Sequence, residues 1–137
     1  MKNLLFLFLI FSFTSLFSQE TQVHYLRAQV ASMGVREDEN SAVSEWIVEG
    51  REVNMLVELH QTKVIIYSQK TQNYYIIKQV EQEPNSWKWL CRDNDAKSCY
   101  VALRTSPEYP GLMTVAIEYN DLVWFYICSH EWKSCSP

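Results

Sequence analysis

The stretch from Ser86 to Arg104, SWKWLCRDNDAKSCYVALR, is the part of the chain that most constrains the fold. Apolar and polar residues alternate on both sides of a polar segment, Asp93 to Lys97, which predicts two antiparallel strands joined by a turn. Side chains on a strand alternate between its two faces. With a turn centred on Asp95, every second residue of both strands therefore points to the same inner face. We therefore predict a core-forming hairpin with the inward pairs Trp87 and Leu103, Trp89 and Val101, and Cys91 and Cys99.

The N-terminal segment MKNLLFLFLIFSFTSLFSQE has the anatomy of a secretory signal peptide. Lys2 precedes an apolar run from Leu4 to Phe13, and small residues follow it. A membrane anchor is the alternative, but this run is about half the ~20 residues that a transmembrane helix needs. We predict a signal peptide over residues 1–18 and a single β-rich domain over residues 19–137. The product is expected to be soluble and exported, to the periplasm or out of the cell, with no membrane span after cleavage.

The charge of the chain argues against a nucleic-acid partner. The formal net charge is −4, and removal of Lys2 with the signal peptide makes it more negative. Basic residues are scattered along the sequence, whereas surfaces that bind nucleic acids carry clustered Lys and Arg. We expect no such partner.

Four cysteines, at positions 91, 99, 128 and 135, occur in this chain. Disulfides form and persist in exported proteins. The hairpin favours a Cys91–Cys99 bridge, which leaves Cys128–Cys135 as the second, although four cysteines allow three connectivities. A four-cysteine zinc site is the alternative, but the short C-x-x-C spacing typical of such sites is missing.

The remaining pattern is also that of β-strands. Residues 22–33 fit either a strand or a helix, and the strands downstream favour a strand. Two further hairpins are predicted, one turning at residues 61–62 and one at residues 120–121. Their inward pairs are Leu59 and Val64, Val57 and Ile66, Ile117 and Trp124, Val115 and Tyr126, and Met113 and Cys128.

We predict an all-β, single-domain fold: an antiparallel meander of about seven strands curled into a small barrel or a two-layer sandwich. Several strands also carry apolar residues on their second face, which another layer or a partner would have to cover. This surplus favours a sandwich or a dimer, and the oligomeric state stays open. The second-face residues are Ile65, Tyr67, Tyr75, Ile77, Phe125 and Ile127.

No catalytic or metal-binding motif stands out. The three histidines, His24, His60 and His130, are not accompanied by a G-x-S-x-G, H-E-x-x-H or P-loop motif. Asp93 and Asp95 could bind calcium, but the rest of an EF-hand loop is absent, and both are good turn formers. We predict no enzymatic activity, no cofactor and no metal.

Aromatic residues carry the functional prediction, because aromatic side chains dominate small-molecule sites. Trp87, Trp89 and Trp124 fall on predicted core faces. Trp46 and Trp132 lie outside the strong strand patterns, so we predict these two as exposed ligand contacts.

Three runs resemble a recurrent pattern in small exported bacterial proteins of no known activity: IIYSQKTQNYYII, WLCRDNDAKSCYVAL and IEYNDLVWFYI. The three runs lie within residues 65–127, about half of residues 19–137, and the resemblance implies a β-rich exported domain, without any transferable site. We expect a non-enzymatic exported domain that binds a small apolar or saccharide ligand or a protein. A small secreted inhibitor or a structural cell-envelope component is the alternative.

Overall fold

The computed structural model describes residues 23–130, and these form eight strands. The predictions for the signal peptide, Trp132 and Cys135 fall outside the described residues. No helix within residues 23–130 is long and apolar enough to cross a membrane. The strands are β1 (His24–Val35), β2 (Glu45–Leu59), β3 (Lys63–Tyr67), β4 (Thr71–Glu83), β5 (Ser86–Arg92), β6 (Ser98–Thr105), β7 (Leu112–Glu118) and β8 (Leu122–His130).

The eight strands form one antiparallel sheet that closes into a barrel. Each strand pairs with the next along the chain, and β8 pairs with β1, for example Leu26 with His130. The all-β meander is thus confirmed, with the barrel rather than the sandwich and with eight strands. Residues 24–35 form a strand and not a helix. Closure gives every strand a neighbour on both sides, although β2 pairs with the short strand β3 only from Leu56 to Leu59.

The register of all three predicted hairpins is confirmed. The pairs Trp87 with Leu103 and Cys91 with Cys99 lie directly opposite each other on β5 and β6. The β2–β3 and β7–β8 hairpins likewise have the predicted pairs. Between β5 and β6 the turn is closed by a hydrogen bond from the Asp93 amide to the Lys97 carbonyl oxygen, and Ala96 has a positive φ of 63°. A residue in that conformation after a tight turn is typical of three-residue hairpin loops.

Two strands are longer than their hydrophobic pattern indicates. Strand β2 begins at Glu45, although regular alternation starts only near Glu52. Strand β8 continues to His130, although the polar residues after Cys128 predict a loop. Both extensions pair with β1, so backbone hydrogen bonding to a neighbouring strand, and not apolar patterning, sets their length.

The predicted Cys91–Cys99 disulfide is wrong: both thiols are free and buried. Asp93 and Lys97 face each other and share a backbone hydrogen bond. Along two antiparallel strands, such hydrogen-bonded pairs alternate with pairs that share no backbone hydrogen bond. Cys91 and Cys99 therefore also occupy a hydrogen-bonded position, where side chains stand further apart than at the intervening positions. Cys128 is likewise a free thiol with no exposed surface inside the barrel.

The second-face apolar residues lie on the outside of the barrel, without the additional layer that a sandwich would provide. Ile65 is buried there, and Phe125 is half-buried with its ring 5.6 Å from the ring of Trp46. Four others are exposed large side chains on the outer surface: Tyr67, Tyr75, Ile77 and Ile127.

Candidate functional site: a cavity at one end of the barrel

A cavity of about 580 Å³ opens at the end of the barrel where β1, β3, β5 and β7 begin and the even-numbered strands end. Eight-stranded barrels are just wide enough either to be filled by side chains or to hold one small ligand. Ligand sites in proteins are typically about 300–1,000 Å³. The lining residues are His24, Leu26, Leu59, His60, Gln61, Val64, Ile76, Trp87, Trp89, Leu103, Met113 and His130.

The wall of this cavity is apolar and its rim is polar. Trp87 and Trp89 both point inward from β5, because they are two residues apart on the same strand. The polar lining residues, His24, His60 and His130 with Gln61, lie at strand ends or in the β2–β3 turn, so they surround the mouth. The arrangement has the form of a site for a ligand with an apolar body and a polar end.

One of the mouth histidines is fixed by a carboxylate. The His60 Nε2 atom lies 2.8 Å from a carboxylate oxygen of Glu58. Both side chains are partly exposed. Glu58 alternates with Val57 and Leu59, which face the interior, so its carboxylate holds the imidazole ring from the outer side of the barrel wall.

A complete layer of buried residues closes the cavity from below. On every strand, the next inward residue beyond a lining residue is at most 4% exposed, so these eight side chains form a continuous floor. We call them the floor layer. They are Ala28, Val57, Ile66, Tyr74, Cys91, Val101, Val115 and Cys128.

Beneath the floor layer, the other end of the barrel is filled by aromatic side chains. The Trp124 and Tyr126 rings stack with their centroids 6.0 Å apart. The Tyr74 hydroxyl donates a hydrogen bond to the Gln72 side chain, and the Tyr119 hydroxyl donates one of 2.7 Å to the Asp93 carboxylate. Burial raises the pKa of Tyr126 to about 12, so its hydroxyl stays protonated at neutral pH.

Asp93 is the hydrogen-bonding centre of the β5–β6 turn. One carboxylate oxygen accepts the amides of Asp95 and Lys97, and the other accepts the Tyr119 hydroxyl. Burial acts to raise the pKa of Asp93, but these hydrogen bonds, together with the charge of Lys97, outweigh it and hold the pKa below its ordinary value. The turn-forming interpretation of Asp93 therefore accounts for its carboxylate better than a calcium site does. Residues 23–130 contain no cluster of three or more side chains suited to a metal ion.

The structure places Trp46, one of the two predicted ligand contacts, away from the cavity. Trp46 lies on the outer face of β2 with 43% of its surface exposed and packs against Phe125, so it does not line the cavity. Trp87 and Trp89, which the pattern assigns to the core, do point inward but also form the cavity wall. The three histidines meet at one mouth, which sequence reasoning missed. The available signal was that each lies at the end of a strand that starts or stops on the same side of a meander.

Comparison with known proteins finds no match for this chain: no family model matches it, and no curated protein and no solved structure is significantly similar to it. The resemblance to small exported bacterial proteins stays a prediction. A proposal for its function must therefore rest on the chemistry of the cavity itself.

Proposed function

We propose that this protein is a non-enzymatic binding protein that holds one small apolar molecule in the cavity at the open end of its barrel. The observation that carries the proposal is the cavity of about 580 Å³ walled by Trp87, Trp89 and aliphatic side chains inside a closed barrel. Burial of apolar ligand surface is the main driving force available there.

The lining favours an apolar ligand over a saccharide. A sugar presents hydroxyl groups around its ring, and each one needs a polar partner once it is removed from water. Eight of the twelve lining residues are apolar, and the polar ones are confined to the mouth. The interior of the cavity therefore offers too few partners for a buried sugar.

Export and the absence of catalysis belong to the same proposal. The sequence of residues 1–18 supports secretion. The His60–Glu58 contact is an acid–base pair in composition, but no serine, threonine or cysteine lines the cavity beside it to act as a nucleophile. The alternative of a secreted inhibitor or an envelope component stays a prediction, without an observation that favours it.

Titration with the neutral fluorescent probe N-phenyl-1-naphthylamine tests the proposal. The probe brightens in an apolar environment, so we expect a saturable increase in its fluorescence with one site per chain and a Kd on the order of micromolar. The variant Leu103→Trp places an indole in the cavity and is expected to abolish binding. Leu103 is only 8% exposed, so Met113→Trp, which fills the mouth from a half-buried position, is a second variant that should fold.

The matched control is Ile77→Trp. Ile77 lies on the outside of β4 with 49% of its surface exposed, so the same indole is added to the same barrel away from the cavity. This variant should bind the probe as the unmodified protein does. Absence of saturable binding to the unmodified protein, or equal binding by all of these folded variants, would refute the proposed function.

A further inference from the structure

The cavity is short along the barrel axis. On β1 the lining begins at His24, and the floor layer is reached at Ala28, four residues further along the strand. At about 3.3 Å per residue and a strand tilt of about 40°, these positions are separated by about 10 Å along the axis. One acyl chain of a membrane lipid spans about 15 Å, half of the ~30 Å hydrocarbon core. An extended long acyl chain therefore cannot be enclosed.

The floor layer prevents a ligand from extending deeper along the barrel axis. All eight strands contribute a side chain to it, and each of those side chains is almost fully buried. Below it lie the stacked rings of Trp124 and Tyr126. A ligand could extend deeper only if several packed side chains left their positions together, which close-packed interiors resist.

The width and the wall of the cavity fit a ring. Two indoles, Trp87 and Trp89, stand one above the other on β5 and face the same space. Aromatic rings pack favourably on other rings in stacked or edge-to-face arrangements. A volume of about 580 Å³ in a cavity that is about 10 Å deep accommodates a flat, compact body better than a long thin one.

The mouth is suited to an acidic group. The twelve lining residues include three histidines and a glutamine but no aspartate or glutamate. Leu26 lies directly opposite His130 across the β1–β8 pair, so His24, two residues before Leu26, is diagonal to His130 on the same face. Imidazole N–H groups donate hydrogen bonds, and bonds to an ionised acceptor are roughly twice as strong as neutral ones. Glu58 engages His60, which leaves His24 and His130 as the donors for an acidic group.

We propose that the ligand is a compact aromatic or alicyclic carboxylic acid, with its ring between Trp87, Trp89 and the aliphatic wall and its carboxylate at His24 and His130. This inference rests on the proposed function and adds the shape and the charge of the ligand. The floor layer excludes longer molecules, and the mouth prefers the acid to its neutral analogue.

Calorimetric titration with three probes tests the inference: 2-naphthoate, the neutral 2-naphthalenemethanol and hexadecanoate. We expect 2-naphthoate to bind about tenfold more tightly than the alcohol, because both have the same ring and only one has a charge. Hexadecanoate, which has the charge but a long chain, should bind at least tenfold more weakly than 2-naphthoate. The double variant His24→Gln/His130→Gln should remove the advantage of the acid: it should weaken 2-naphthoate about tenfold and the alcohol far less, because glutamine can still pair with a neutral hydroxyl.

The outcomes distinguish the two proposals. Equal affinity for acid and alcohol, an unchanged acid advantage in the double variant, or tight binding of hexadecanoate would overturn the inference and leave the apolar binding site intact. Binding of none of the three probes, together with no binding of N-phenyl-1-naphthylamine, would overturn the proposed function itself. The variant Trp46→Phe, which alters an indole on the outer face, is the control and should bind all probes unchanged.

Discussion

Removal of the Tyr119 hydroxyl should weaken the closed end of the barrel by an amount that depends on pH. The Tyr119 hydroxyl donates a 2.7 Å hydrogen bond to the Asp93 carboxylate. The Lys97 ammonium lies 5.1 Å from the centroid of the Tyr119 ring. The substitution Tyr119→Phe keeps the ring and this cation–π contact and removes the hydroxyl with its polar contacts, of which the bond to Asp93 is the one to a charged group.

The expected cost follows from the environment of the bond. Hydrogen bonds to charged groups contribute about 1.5–3 kcal/mol when buried. Asp93 and Tyr119 are only half-buried, so water replaces part of the lost interaction. We expect a loss of about 1 kcal/mol in the free energy of unfolding at pH 7. With a urea m-value of about 2 kcal/mol/M, the midpoint of unfolding should fall by about 0.5 M.

The pH dependence has a definite sign. The pKa of Asp93 in the folded protein lies below its ordinary value of about 3.9. A carboxylate with a depressed folded pKa contributes stability that is fully present above the unfolded pKa and is lost as pH falls through the folded pKa. The difference between the protein and Tyr119→Phe should therefore be constant above about pH 5 and shrink below about pH 4.

Urea unfolding followed by tryptophan fluorescence at pH 7, 5 and 3 measures this difference. Tyr109→Phe is the matched control, because the Tyr109 side chain is 62% exposed in the β6–β7 loop, and it should change stability at no pH. A loss in Tyr119→Phe that stays equally large when the pH is lowered further, through the acid titration of Asp93 in the folded protein, would refute the reasoning, because it would show that the charge of Asp93 takes no part in the bond.

Two further predictions concern packing and thiol chemistry. A Cβ atom at Gly34 would overlap the Val43 side chain and come within 3.3 Å of the Trp46 ring. Gly34→Ala should therefore lower the free energy of unfolding in urea by about 1–3 kcal/mol. Adding Val43→Ala to this variant should restore part of the loss. A full loss that persists in the double variant would contradict this explanation. Burial raises the pKa values of Cys91, Cys99 and Cys128 to about 11, 12 and 12, so peptide-mapped alkylation at pH 8 should be about 100-fold or more slower in the folded than in the unfolded protein. Recovery of a peptide pair cross-linked through Cys91 and Cys99 would contradict the free thiols.

Local chemistry was enough to predict the hairpins. The polar turn around Asp95 and the alternation of Trp87, Trp89 and Cys91 depend on residues close in sequence, and the register that they predict is the register observed. Side chains repeat with period two on a strand, so a turn position and a pattern fix both the facing pairs and the inward face. Local pattern does not predict where β2 begins or where β8 ends, because both of these segments pair with β1.

The candidate site was less accessible from the sequence. A tryptophan that fills a core and a tryptophan that lines a cavity both point inward. The alternation of apolar and polar residues along the strand is the same in both cases, so the sequence does not distinguish them. Trp89 and Trp124 show the difference: the first borders the cavity, and the second stacks on Tyr126 in the filled end. The cysteines were misjudged for a related reason, since opposition of Cys91 and Cys99 was correct but does not by itself bring two sulfur atoms to bonding distance.

Turn formation and strand alternation are local properties, so the order of residues alone predicts an all-β chain of antiparallel hairpins with their registers and inward faces. Three features emerge only in the folded barrel: the sheet closes, one half of the interior is filled while the other is open, and His24, His60 and His130 share a mouth. Closure joins Leu26 to His130 from opposite ends of the described chain. Contacts of that range depend on the summed twist, tilt and side-chain volumes of all eight strands, which no single stretch of sequence contains.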